Sequence, residues 1–269
     1  MKKLALILTL LFSLSLLAAG CGGTKQETQT DKPLKVGVTA GPHAEIMEMV
    51  KKVAEKDGLK IQIVEFNDYV QPNVALHQGD IDVNSYQHQP YLDNMIKDRQ
   101  YDITSVAKTV IFPMGLYSQK VKSIVEVKSG AVVAIPNDPT NGGRALLLLE
   151  SQGLIKLKSG AGILVSVADI AENPKNIKIR ELDAAQIPRS LADMDLAAVN
   201  TNYAMTAGLV PTKDALALED GNSPYANIVA VQSKNKDNPA VQKLLKAYQT
   251  DEVKKFIQEH FKGSVLVAW

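Results

Sequence analysis

The side chains best equipped for chemistry fall in three places. The first is a pair of stretches, Phe66-Asn67-Asp68-Tyr69 and Asn84-Ser85-Tyr86-Gln87-His88-Gln89-Pro90-Tyr91, which gather several aromatics in a chain that is only 5% aromatic. Tyrosine and histidine can lay an apolar body against a ligand while keeping a polar tip paired. The alternative is that Tyr69 and Tyr91 merely anchor neighbouring helices to a sheet. The second place is Pro136-Asn137-Asp138-Pro139-Thr140-Asn141-Gly142-Gly143-Arg144. Unpaired N–H groups at a helix start favour an anion, and the guanidinium fork of Arg144 suits a carboxylate. Gly142 and Gly143 are expected to let a ligand approach closely, and Asn141 joins Arg144 as a candidate ligand-binding residue. A cation in a first helical turn is locally unfavourable, so Arg144 needs either that ligand or an acidic neighbour such as Glu150. Arg144→Ala is expected to abolish ligand binding with little loss of folding stability. The third place is Asn200-Thr201-Asn202-Tyr203 with Tyr225-Ala226-Asn227. An asparagine amide offers both a donor and an acceptor, which suits the two charged ends of an amino acid; Asn202 and Asn227 as plain cap or turn residues is the alternative.

Other chemistries lack their residues. The chain has no Gly-x-Gly-x-x-Gly after its first strand, no phosphate loop ending in Gly-Lys-Ser/Thr, and no Gly-x-Ser-x-Gly elbow. No pair among His43, His77, His88 and His260 has the spacing of a helical zinc site, although His77 and His88 could converge with Asp80 or Asp82. The single cysteine, Cys21, leaves no disulfide and no thiol nucleophile in the folded part. No catalytic residue, metal or cofactor is expected.

These stretches sit where elements change. Lys35–Thr39 reads as a strand, Ala44–Lys56 as a helix with Ile46, Met49, Val50 and Val53 on one face, and Leu59–Phe66 as a second strand. Ile81–Asn84, a helix over Gln89–Asp98 and a strand over Thr104–Phe112 follow. A second unit begins near Pro113, with a strand over Ala131–Pro136 and a helix over Gly142–Gln152. Strands over Asn176–Leu182 and Leu196–Asn200 flank a helix over Ala184–Ala192. Ile228–Val231 and helices over Pro239–Tyr248 and Asp251–His260 close the chain. This rhythm predicts an α/β protein with mostly parallel sheets covered by helices; the two aromatic stretches follow strands, at the carboxyl edge where such sheets bind ligands, while Asn227 stands just before one.

The amino terminus has a different logic. Lys2 and Lys3 precede an apolar run over Leu4–Ala19, which is the layout of an export signal and shorter than a comfortable bilayer span. The string Leu17-Ala18-Ala19-Gly20-Cys21 resembles a bacterial lipobox, which implies cleavage after residue 20 and lipidation of Cys21. The polar stretch over residues 22–33 reads as a flexible tether. Of 30 basic residues two lie in the leader, so 28 remain against 29 acidic ones, and a charge near −1 gives no reason to expect nucleic acid.

Taken together, the two aromatic stretches, Ile135–Leu146, Val199–Ala204, Glu219–Tyr225 and Ala247–Val253 resemble the NlpA-type methionine-binding lipoproteins over essentially all of residues 34–269. The resemblance implies a bilobal periplasmic-binding-protein fold, type II-like, with two α/β lobes around a ligand cleft. Residues 34–111 plus 201–269 would form one lobe and residues 112–200 the other. It also implies that Tyr69, Tyr86, His88 and Tyr91 wrap a thioether side chain, that Arg144 clamps the carboxylate, and that Asn202 and Asn227 hold the head group. Several relatives have phenylalanine where this chain has Tyr86. The implied partners are methionine, an ABC transporter permease with its ATPase subunit, and a membrane reached through the lipid on the extracytoplasmic side. Another small amino acid, a methionine-containing peptide, or a structural or adhesive surface lipoprotein are the alternative readings.

Overall fold

The computed structural model describes residues 32–160 and 162–269; the leader, Cys21 and most of the tether lie outside them. The strands are β1 (Leu34–Thr39), β2 (Ile61–Phe66), β3 (Val83–Asn84), β4 (Ile103–Lys108), β5 (Val110–Ile111), β6 (Gly115–Tyr117), β7 (Val132–Pro136), β8 (Lys156–Leu157), β9 (Ile170–Glu172), β10 (Lys178–Leu182), β11 (Leu196–Val199), β12 (Ala217–Leu218), β13 (Ile228–Gln232) and β14 (Leu266–Val267). Two five-stranded sheets hold the architecture, in the orders β2-β1-β3-β13-β4 and β10-β7-β11-β6-β12.

Helices cover the first sheet with a single apolar face each. In the helix Pro42–Lys56, Ile46, Met47, Val50, Val53 and Ala54 are buried, and they meet Val36 and Val38 of β1 in one core. Gly41 begins this helix with φ +81°, and a Cβ there would lie 2.6 Å from Thr206 Oγ1, so both the backbone and the space demand glycine. The C-terminal helices Pro239–Tyr248 and Asp251–Phe261 add Val241, Leu244, Val253 and Ile257 to the same core. On the second sheet, Leu146 and Leu149 of the helix Pro139–Ser151 pack with Val133, Ile135, Leu196 and Ala198.

The sheets are mixed rather than mostly parallel. β1 runs parallel to β2 and β3, and β7 to β10 and β11, but β13 is antiparallel to both β3 and β4, and β6 to both β11 and β12. The reason lies in the connections. β4 leads out of the first sheet and β13 leads back into it, so the two run in opposite directions. The outgoing and returning segments also touch: the Thr109 N–H donates to the Asn227 carbonyl at 2.8 Å, and the Asn227 N–H to the Val110 carbonyl at 2.7 Å.

Other departures are local. The strand expected over Thr104–Phe112 divides into β4 and β5. The helix expected to start at Gly142 starts at Pro139, because the Asp138 side chain caps it by accepting from the Asn141 N–H. The helix expected over Ala184–Ala192 is confined to Ile187–Ser190. A helix over Gln71–Gln78 was not anticipated. After residue 200 the chain does not return at once to the first sheet, since β12 pairs with β6 of the second.

Candidate functional site

One cavity collects the loops at the carboxyl ends of strands from both sheets. β1 delivers His43, β2 delivers Tyr69, and β3 delivers Tyr86, Gln87 and His88, with Tyr91 one helical turn on. From the second sheet, β7 delivers Asn141 and Arg144, and β11 delivers Asn200, Thr201 and Asn202. Phe112 and Asn227 reach the cavity from the two crossing segments. Tyr69, Tyr86, His88, Tyr91, Asn141, Arg144, Asn202 and Asn227, the residues singled out from sequence, are thus brought together. Gln87, Asn200 and Thr201 lie inside the clusters named from sequence but were given no role of their own, and His43 and Phe112 lie outside those clusters. The signal for His43 was available, because Gly41-Pro42-His43 follows a strand as the other three clusters do.

The wall from the first sheet is aromatic, and its hydroxyls are occupied. Tyr86 Oη and Tyr91 Oη both donate to the Tyr69 carbonyl, at 2.7 and 3.1 Å. Tyr69 Oη donates across the cavity to Asn202 Oδ1 at 2.6 Å. The hydroxyl that Tyr86 carries therefore ends on backbone, and this wall offers ring surface. Burial pushes the Tyr69, Tyr86 and Tyr91 phenols up, so all three are neutral. The Tyr69 ring lies 6.0 Å from those of Tyr86 and Tyr91 and 4.8 Å from that of Tyr203. Behind the loop, Asn73 and Gln87 exchange two amide hydrogen bonds, at 2.8 and 2.7 Å, and Asn84 Nδ2 donates to Asn73 Oδ1 at 2.9 Å. This buried amide cluster fixes the path of residues 84–88 from beneath.

The two buried histidines are neutral, each in a defined tautomer. Burial lowers both to about 3. The Tyr91 N–H donates to His88 Nδ1 at 3.1 Å, so Nε2 carries the proton and donates to Asn141 Oδ1 at 3.1 Å. Asn227 Nδ2 donates to His43 Nε2 at 2.9 Å, which leaves Nδ1–H to donate to Thr39 Oγ1 at 2.8 Å.

The wall from the second sheet is an amide network built on Asp138. Asn141 Nδ2 donates to both Asp138 carboxylate oxygens, at 3.1 and 2.9 Å. Its Oδ1 is thereby an acceptor, and it takes bonds from His88 Nε2 and from Asn200 Nδ2, the latter at 2.8 Å. Both ends of the Asn141 amide are used inside the protein. Asn200 Oδ1 and Asn202 Nδ2 are buried without a hydrogen-bond partner. Unpaired buried polar atoms are costly, and here one acceptor and one donor belong to residues lining the same cavity. Arg144 Nε donates to Glu219 Oε1 at 3.0 Å, Nη2 to the Phe112 carbonyl at 2.9 Å and to Glu219 Oε2, and the Tyr225 ring lies 4.3 Å from the guanidinium carbon. The acidic neighbour is Glu219, not Glu150, which instead accepts from the Leu157 N–H at 2.7 Å.

Gly142 and Gly143 serve packing rather than ligand approach. A Cβ on Gly142 would lie 2.9 Å from the Pro136 carbonyl oxygen, and one on Gly143 would lie 2.5 Å from that of Ile163. Their small size lets the helix start press against its own chain. His77 stacks on Tyr101 with ring centroids 4.7 Å apart, away from the partners of His88. Among the described residues no group of three histidine, cysteine, aspartate or glutamate side chains could hold a metal ion, and no helix is long and apolar enough to cross a membrane.

The sequence model of the NlpA lipoprotein family matches residues 34–269. The chain belongs to this family. A curated relative, the D-methionine-binding lipoprotein MetQ of Salmonella typhimurium, is 50% identical over 271 aligned positions, covering 100% of this chain and 98% of the relative. Among solved structures, a nutrient binding protein from Burkholderia cenocepacia bound to methionine is 58% identical, with a TM-score of 0.86 over 88% of this chain and 100% of that one. An ABC transporter periplasmic substrate-binding protein from Coxiella burnetii is 48% identical, with a TM-score of 0.85 over 87% and 100%. The NlpA chain described here has the two-lobed fold of such binding proteins.

Proposed function

We propose that this NlpA-family protein captures methionine outside the cytoplasm and delivers it to an ABC importer, without catalysing a reaction. The observation that carries the reading is the division of one cavity into an aromatic wall with occupied hydroxyls and a polar wall with an unpaired acceptor and donor. A free amino acid with an apolar side chain has the matching two ends. Its carboxylate would accept from Arg144 and from Asn202 Nδ2. Its ammonium would donate to Asn200 Oδ1 and Asn227, and its thioether chain would lie among Tyr69, Tyr86, Tyr91 and His88. Asn141 would act through others, orienting His88 and Asn200. Relatives described as binding methionine, 50% identical over 100% of this chain and 58% identical over 88% of it, support this choice of side chain.

Burying such a side chain contributes about 1.5–3 kcal/mol, and each hydrogen bond to a charged group contributes about 1.5–3 kcal/mol. Association costs at least about 4 kcal/mol, so several such contacts leave affinity in the micromolar to nanomolar range. We assign residues 34–111 and the C-terminal part to one lobe and residues 112–200 to the other, counting β12 with the second because of its pairing. Closing the lobes over the ligand would present a joint face to the permease, which is driven by its ATPase subunit. The lipobox-like string supports a lipid on Cys21 as the tether to the membrane.

Mass spectrometry of the small molecules released by denaturing the purified protein tests this reading. Methionine at close to one per chain is the expected result. A different amino acid or a methionine-containing peptide would move the specificity. A protein that holds none, and that no added amino acid protects from heat, would favour a structural lipoprotein.

A further inference from the structure

Arg144 belongs by sequence to the second lobe, yet its head group is fixed to the segments that cross between the sheets. Phe112, whose carbonyl accepts from Nη2, lies in the outgoing crossing; Glu219 and Tyr225, which hold the Nε edge and one face, lie in the returning one. Glu219 is itself clamped to the outgoing segment. Its N–H donates to the Met114 carbonyl at 2.9 Å, and its Oε2 accepts from the Met114 N–H at 3.3 Å. Arg144 is buried and Glu219 largely so, with side-chain exposures of 4% and 13%, and Glu219 is not among the residues lining the cavity. Among the described residues Nη1 makes no hydrogen bond.

A carboxylate on the Nε and Nη2 edge fixes the plane of a guanidinium, because the fork admits few orientations. We propose that Glu219 is a positioning residue for ligand capture: it pins Arg144 to the crossing segments, so that the ligand's carboxylate anchor is built into the hinge and is in place before the lobes close. This inference rests on the amino-acid reading above and names a residue that acts behind the site rather than in it. It also gives the wall a second property. Arg144 and Glu219 together carry no net charge, which suits a zwitterion.

The test compares two ligands on the full chain in detergent: methionine, and methioninol, which has a hydroxymethyl group in place of the carboxylate. Calorimetric titration of Glu219→Gln should show methionine weakened about 10–100-fold, the range of a disturbed charge-assisted contact, while methioninol changes by less than about 3-fold. Unchanged methionine binding would overturn the proposal. So would equal losses for both ligands, which mark a general structural defect. Should Glu219→Gln fail to fold by circular dichroism, Glu219→Asp keeps the charge and withdraws it by one methylene; it must show the same carboxylate-selective loss at smaller size, and equal losses there overturn the proposal too. A wild-type chain that bound neither ligand would overturn the amino-acid reading and this inference with it.

Discussion

The wall of the cavity built from the first sheet and the wall built from the second treat their polar atoms in opposite ways. On the first, the tyrosine hydroxyls that could have faced a ligand end on the Tyr69 carbonyl and on Asn202. On the second, a network of amides and carboxylates holds Asn141 fully paired yet leaves Asn200 Oδ1 and Asn202 Nδ2 buried and unpaired. Residue type alone leaves open whether the tyrosine hydroxyls or the tyrosine rings face the ligand. Following each donor and acceptor to its partner shows that one presents ring surface and the other presents hydrogen-bonding atoms.

Removing the charge from the polar wall should have the largest effect. Arg144→Ala is expected to weaken methionine by more than about 100-fold in a calorimetric titration, since at least one charge-assisted bond and the orienting cation go together. Its stability should fall as well, in contrast to the expectation from sequence. The substitution strands the largely buried Glu219 carboxylate, which costs about 1–3 kcal/mol. A melting temperature equal to wild type would show that the pair is not formed in solution.

Acid should loosen the contact between the walls next. His43 and His88 have folded values of about 3, below the ordinary 6.5, so the unfolded chain binds protons that the folded chain refuses. Stability is then complete above pH 6.5 and is lost as pH falls from there toward 3. At pH 5 the loss is about 2 kcal/mol for each histidine. Urea unfolding at pH 7 and pH 5 measures it, and His88→Gln should flatten the dependence. Equal midpoints at both pH values would mean that the imidazoles are not buried neutral.

The aromatic wall answers to smaller changes. Tyr91→Ala should weaken methionine about 10-fold or more while leaving alanine within about 3-fold, because only the longer side chain loses a buried contact. Equal losses for the two amino acids would place the side-chain pocket elsewhere. Tyr86→Phe is the mildest, removing one hydroxyl that ends on the Tyr69 carbonyl. It should lower stability by about 1 kcal/mol and shift methionine affinity less than about 3-fold. A larger shift would put that hydroxyl on the ligand.

Much of the site was legible in sequence because all its clusters but that of Asn227 follow an apolar run that ends in a turn, and turns after strands of an α/β sheet converge at one edge. Glu219 was not legible as the partner of Arg144, since 75 positions separate them and no local pattern encodes the pairing. His43 was missed although it too follows a strand; what no local pattern encodes is its pairing with Asn227, 184 residues away. The direction of β13 was misread because the apolar run Ile228–Val231 marks a strand without saying which way it runs, and β6 was not anticipated. Gly142 and Gly143 were misread because glycine marks a close approach without naming what approaches.

The most direct test of the two-walled amino-acid site is calorimetric titration of methionine and of alanine into the full chain stripped of bound ligand. Methionine binding at one site per chain with micromolar or tighter affinity, and alanine weaker by about 10-fold or more, is the predicted result. Equal affinity for both would contradict the aromatic wall as the side-chain pocket, and heat from neither would contradict the site itself.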